Sequence, residues 1–105
     1  MNDDKVLGTR LIFDSSGQQV EIKVFLPEVD DHGSFYCEFS LSGLSWVGKK
    51  RRSYGIDAIQ AVYLALQSIG SDFEALRESG VEGLKWVGES RPGDLGLPTI
   101  RPIAN

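Results

Sequence analysis

The sequence predicts an α+β fold in which an antiparallel four-stranded meander packs on one long helix. Before residue 55, apolar and polar residues alternate along several segments, as they do in half-buried strands. After residue 57, apolar residues recur every three or four positions instead, which indicates one buried face of a helix. With 105 residues, of which 41% are hydrophobic, the chain is long enough for one core. We therefore expect a single domain over residues 1–105.

The β-meander is expected within residues 1–54. Turn residues from Asp14 to Gly17 separate the first two strands, and Pro27 ends the second because it lacks a backbone donor. A polar loop from Glu28 to Gly33 leads to the third strand, and Gly48 interrupts the fourth. We expect the strands at roughly 5–13, 19–26, 35–41 and 45–54. The residues predicted to face the helix are Val20, Ile22 and Val24 in the second strand and Phe35, Cys37 and Phe39 in the third.

The helix is predicted over residues 57–78. Asp57 and Gln60 have the spacing of a capping box, in which each side chain accepts the other residue's backbone amide. Ile56 and Ala61 are spaced as its hydrophobic staple, and Gly70 marks a candidate bend. The apolar stripe expected to face the sheet consists of Ile59, Val62, Leu66, Ile69, Phe73 and Leu76.

The remaining residues, 83–105, are predicted to form a short strand near 84–87 and an extended, proline-rich tail. Prolines exclude a helix there, yet the tail is too apolar for a free linker. We therefore expect it to pack on the sheet or on a second subunit, with Trp46 or Trp86 as the contact. The apolar tail residues are Leu95, Leu97, Ile100 and Ile103.

The composition argues against several classes of protein. No apolar run approaches the ~20 residues of a membrane-spanning helix, and the N-terminus lacks a secretory pattern, so we expect a cytoplasmic protein without membrane contact. One cysteine, Cys37, and one histidine, His32, provide neither a disulfide nor a two-histidine metal site. The acidic loop around Asp30 lacks the spacing of a calcium loop. We predict no catalytic residue, no metal and no cofactor.

The charge is distributed unevenly along the chain. Residues 1–48 carry eight acidic and three basic side chains, whereas residues 49–56 carry four basic side chains and no acidic one. With aromatic residues nearby, this pattern resembles the basic sites that bind single-stranded nucleic acid, although an edge strand with protective charges has the same composition. Tryptophan and arginine are also frequent interface anchors. The candidate partner-binding residues are Trp46, Lys49, Lys50, Arg51, Arg52, Tyr54 and Trp86.

The helical segment from Tyr54 to Gly70 resembles a small, uncharacterised family of bacterial domains. The similarity lies in a Gly-x-Asp-x-x-Gln-Ala start and an Ala-Leu-x-x-Ile-Gly continuation. The strand around Cys37 and the Gly-Leu-Pro at residues 96–98 are also similar to this family. The resemblance implies a stand-alone bacterial cytoplasmic domain, and it implies no activity and no catalytic residue.

These observations favour a non-enzymatic protein-interaction domain. It would associate with itself or bind another bacterial protein, and small α+β domains of this size are common among immunity proteins that neutralise toxins. The alternative is a domain that binds nucleic acid or a phosphate-bearing ligand through residues 49–52.

Overall fold

A computed structural model describes residues 5–86 and 95–98 of the chain. Within these ranges it has one helix and one seven-stranded sheet, so the α+β class and the antiparallel sheet are confirmed. The elements are β1 (Val6–Phe13), β2 (Gln19–Phe25), β3 (Glu28–Val29), β4 (Phe35–Gly43), β5 (Trp46–Val47), β6 (Arg51–Gly55), α1 (Ala58–Glu78) and β7 (Lys85–Trp86).

Strand β4 lies inside the sheet and is paired along both edges. Phe39 pairs with Val24 of β2 on one side and with Arg51 of β6 on the other. Strands β2 and β3 both pair with the first edge of β4, and β5 and β6 both pair with its second edge. Strand β1 pairs with β2, and β7 pairs with β1. The predicted meander order is therefore present, and β7 lies within the short strand predicted near 84–87, but the described residues form seven strands rather than the five expected.

The predicted fourth strand is interrupted at Gly48. This residue has φ of +82°, and its backbone N–H donates to the carbonyl of Leu41 at 2.8 Å. A positive φ at Gly48 turns the chain out of the extended conformation, so β5 ends before it and β6 begins only at Arg51. Lys49 and Lys50 therefore lie between the two strands rather than inside one.

The predicted polar loop after Pro27 contains strand β3. The Asp30 carboxylate accepts the backbone N–H groups of His32 and Ser34, both at 2.9 Å, and so closes a tight turn. The N–H of Ser34, together with that of His32, holds the pKa of Asp30 below its ordinary value. Because the chain reverses within this turn, Glu28 and Val29 pair with the start of β4.

Helix α1 packs on the sheet largely through the predicted stripe, in which Ile69 and Phe73 are buried and Val62, Leu66 and Leu76 pack against the core. Its buried residues are Ala61, Ala65, Ile69, Gly70 and Phe73. Ile59 was predicted to face the sheet, but it is 80% exposed. The buried face also includes Ala61 and Ala65, whose small side chains suit close packing, whereas Ile59 lies in the first turn of the helix, outside this face. Among the described residues no helix is long and apolar enough to cross a membrane.

The start of α1 confirms half of the predicted capping box. The Asp57 carboxylate accepts the N–H of Gln60 at 2.8 Å, as predicted. The Gln60 side chain, however, accepts from the N–H of Ile56 at 2.7 Å rather than from that of residue 57. The predicted staple is wrong, since Ile56 is 84% exposed. The turn into the helix is so tight that a Cβ on Gly55 would collide with the backbone nitrogen of Ala61.

Helix α1 continues without a break through Gly70, where the sequence offered a candidate bend. A Cβ at this position would collide with the carbonyl oxygen of Pro98. The approach of the tail therefore accounts for a glycine at this position.

The described part of the tail, residues 95–98, packs on the same chain. Leu95 is buried in the core and Leu97 packs against it. The Arg10 guanidinium donates to the carbonyls of Leu95 at 2.8 Å and Gly96 at 3.2 Å, and it lies 3.9 Å from the Trp86 ring centroid. The expected contact with Trp86 is thus observed, since a Cβ on Gly96 would meet that indole at 3.0 Å. The predictions for Ile100 and Ile103 fall outside the described residues.

Candidate functional site

The two tryptophans among the candidate residues pack against the core. Trp46 meets Phe73 of the helix edge-on, with ring centroids 5.1 Å apart. Trp86 lies on β7, at the opposite end of the sheet from β6, beneath the Arg10 guanidinium. The structure therefore does not bring Trp86 together with residues 49–52, which we call the basic segment.

The arginines of the basic segment point to opposite faces of the sheet. Arg51 lies on the helix side, where it forms an ion pair with Asp72 and approaches the Phe39 ring to 4.7 Å. Arg52 lies on the other side, where it contacts Glu38 at 3.2 Å and the Tyr54 hydroxyl at 3.4 Å. The Tyr54 hydroxyl and the Glu38 carboxylate raise the pKa of Arg52 above its ordinary value.

The lysines of the basic segment have different surroundings. The Lys50 ammonium lies 4.4 Å from the Phe25 ring centroid, on the same face as Arg52. Lys49 is exposed and has no partner within residues 5–86 and 95–98. Three of the four cations thus have partners within the protein, and the segment is not an open basic patch.

The outer edge of β6 carries unpaired backbone groups. The bond from Gly48 to the carbonyl of Leu41 shows that Leu41 faces the β5–β6 side of β4. Alternation along β4 then directs Phe39, Cys37 and Phe35 to the same side, opposite Arg51, Ser53 and Gly55. The backbone N–H and C=O groups of Arg52 and Tyr54 therefore point away from β4. No strand in the described parts of the chain pairs with them.

A groove of about 500 Å³ is lined by one side of β6 and one side of helix α1. The helix runs back along the strand, because its start packs on Gly55 while Asp72, farther along, pairs with Arg51. The ion pair marks one end of the groove, and Leu64 lies towards the other. The strand contributes Arg51, Ser53 and Tyr54, and the helix contributes Leu64, Gln67, Ser68, Ser71 and Asp72.

A model of a protein family matches residues 9–99, which cover both walls of this groove. The chain belongs to this family, which is described as Domain of unknown function (DUF6968). The predicted resemblance to an uncharacterised domain family is confirmed at this level. Neither the curated proteins nor the solved structures that were compared with the chain gave a match.

The groups that line the groove of this DUF6968 chain are suited to binding. They comprise an unpaired strand edge, serine and tyrosine hydroxyls, one apolar side chain and an ion pair. Cys37 lies on β4, next to β6, and its side chain is buried. Burial raises the pKa of its thiol to about 11, and the S–H donates to the carbonyl of Phe25. Among the described residues of this DUF6968 chain, no group of three side chains could hold a metal ion.

Sequence reasoning identified the strand wall of the groove and missed the helix wall. Arg51 and Tyr54 were candidates because of charge and aromatic character, whereas Leu64, Ser68 and Asp72 were not. A usable signal existed, since Leu64, Ser68 and Ser71 form a row beside the buried alanines of the helix. That row becomes informative only when the helix is known to run back along β6.

Proposed function

We propose that this DUF6968 chain is a protein-interaction domain that receives a partner polypeptide on the outer edge of β6. The unpaired backbone groups of Arg52 and Tyr54, beside an open groove, carry the proposal. An extended segment placed there would gain main-chain hydrogen bonds from the strand, while its side chains would reach the helix wall. The chain would act without catalysis, in the cytoplasm of a bacterium.

Positive charge on an edge strand also protects against non-specific pairing, and that role explains part of the basic segment. It does not explain why an open groove with a helix wall lies beside the edge. Two kinds of occupant fit this description. One is a second copy of the chain, and the other is a different protein, such as the target of an immunity-like domain.

The alternative is a domain that binds nucleic acid or a phosphate-bearing ligand through the basic segment. Binding of this kind needs several cations directed at phosphates. Arg51 and Arg52 are engaged with Asp72 and Glu38, and Lys50 lies over Phe25. These contacts favour the interaction domain over the nucleic-acid binder.

Site-specific photo-crosslinking in the native host tests the proposal. A photoreactive amino acid at Ser71 probes the groove, and one at Gln19, which is exposed on β2, is the control. We expect a defined crosslinked species from position 71 and none from position 19. Tyr54→Pro should abolish it, because proline removes an outward-facing N–H from the edge.

Tyr54→Pro must first be shown to fold by circular dichroism. If it does not, Ser68→Trp provides the same test, because it fills the groove from the helix side. A position-71 crosslink that survives either folded variant would contradict the proposal. Retention on single-stranded nucleic acid at low salt, lost in Lys49→Glu but kept in Tyr54→Pro, would establish the alternative.

A further inference from the structure

Charge indicates the kind of segment that the β6 edge accepts. We infer that the partner segment is an extended strand of a different protein and carries acidic side chains towards the Lys49–Arg51 end of β6. This inference rests on the proposed function and adds the chemistry of the partner to it. The basic segment has four cations, and only Asp72 and Glu38 form ion pairs with it in the described structure. Lys49 and Lys50 form no ion pair there, so a strand laid along this edge meets a net positive charge even though the segment is not a patch of free cations.

Arg51 shows that a carboxylate can be held across the groove. It lies on β6, and its guanidinium already binds the carboxylate of Asp72 on the opposite wall. Its side chain remains 43% exposed, so a second carboxylate can approach the same guanidinium from the groove. Lys49, which is exposed at the same end of the strand, provides a further cation.

The alternation of a strand gives the segment its expected pattern. Successive side chains of an added strand point to opposite faces of the sheet. Those on the helix side would enter the groove between Ser53 and Leu64, which favours small or apolar residues. Nearer Arg51, acidic residues would be favoured. We therefore expect acidic and apolar positions to be separated along the segment.

The same charges disfavour a second copy as the occupant. Pairing of two β6 edges would bring together two strands that each carry the basic segment, and like charges directly opposite each other across strands are destabilising. A basic edge thus rejects its own copy and selects an acidic strand, so that repulsion contributes to specificity.

A phage-displayed library of random peptides of about ten residues tests the inference on the full chain. We expect aspartate and glutamate to be enriched among the selected peptides. A synthetic peptide from the selection should bind Lys49→Glu about tenfold more weakly than the unmodified chain. Lys85→Glu is the matched control, because it makes the same charge change on β7, and its binding should be unchanged.

The outcomes separate the inference from the proposed function. The selected peptides could lack acidic enrichment and yet fail to bind Tyr54→Pro or Ser68→Trp. That result would overturn the inference and leave the interaction site in place. Light scattering could also show that the unmodified chain self-associates and that either variant abolishes this association. That result would overturn the inference, because the occupant would be a second copy of the chain. If no peptide is enriched, or if the peptides bind both variants as well as the unmodified chain, the inference and the interaction site both fail.

Discussion

The helix that contains Gly70 gives no reason for a glycine at this position. Glycine inside a helix costs up to about 1 kcal/mol relative to alanine, so local propensity alone favours replacement. The structure gives the opposite reason, because the carbonyl oxygen of Pro98 occupies the space that a Cβ would need. Gly70 therefore contributes to stability by allowing the tail to pack against the helix.

Gly70→Ala is expected to lower the free energy of unfolding of the full chain by about 1–3 kcal/mol, the usual range for overpacking. In a chain truncated after Gly93 the same substitution should raise it by up to about 1 kcal/mol, because the obstructing carbonyl is gone. Urea unfolding of the full and truncated chains, each with glycine or alanine at position 70, measures both effects. An effect of the same sign in both backgrounds would show that the contact with Pro98 is unimportant.

Arg51 and Arg52 show how adjacent residues of one type acquire different surroundings. Alternation along β6 directs the first to the helix and the second to the open face of the sheet. The sequence predicts this separation, because a strand has a period of two. It does not identify Asp72 as a partner, since that residue is 21 positions away and the pairing depends on the path of the helix.

At the scale of elements, the junction between β6 and α1 positions the candidate site. Gly55 lets the end of the strand touch the first turn of the helix, and Asp57 caps that turn. The helix therefore starts beside the strand and runs back along it, which creates the two walls of the groove. The local signals for this junction, a glycine and a capping residue, are visible in the sequence.

Asp57→Ala should lower the free energy of unfolding by about 0.5–2 kcal/mol, because the N–H of Gln60 loses its acceptor. Asp57→Asn is the matched control and should be close to neutral, since asparagine is an equally good cap. Urea unfolding measures both, and peptide binding to the folded variants should be retained. If the asparagine variant is as unstable as the alanine variant, then charge rather than the hydrogen bond stabilises the helix start.

At the scale of the whole molecule, the helix and the tail together cover one face of the sheet. The helix packs over β4 and β6, and the described tail segment lies nearer β1, where Arg10 holds its carbonyls. Leu95 joins the core although residues 95–98 form no helix or strand of their own. The stability of the domain is therefore expected to depend on a segment without regular secondary structure.

Truncation after Gly93 is expected to destabilise the chain without changing its molecular mass in light scattering beyond the loss of the removed residues. Burial of a leucine side chain contributes roughly 1.5–3 kcal/mol, and Leu95 is buried in the core of the same chain. Leu95→Ala in the full chain is the matched variant and should cost about 2–5 kcal/mol in urea unfolding. Conversion of a dimer to a monomer on truncation would show that the tail docks on a second subunit instead.

Much of the fold follows from local patterns in the sequence. Alternation predicts the main strands, turn residues predict the reversal at Asp14, and the capping residue Asp57 predicts where the helix begins. Each of these signals acts over a few residues, through backbone geometry or a nearby hydrogen bond. The full extent of the break at Gly48 and the short strand β3 depend on pairing with β4, and the sequence shows them less clearly.

The sequence by itself determined the α+β class, the order of the meander and the basic character of its edge strand. The tertiary structure decided that Ala61 and Ala65 join the buried face of the helix while Ile59 does not, why residue 70 is glycine and which residues form the helix wall of the groove. The physical reason is that these features depend on how closely distant segments approach. The approach of the Pro98 carbonyl to Gly70 and the pairing of Asp72 with Arg51 are examples, because both join residues that are far apart in the sequence.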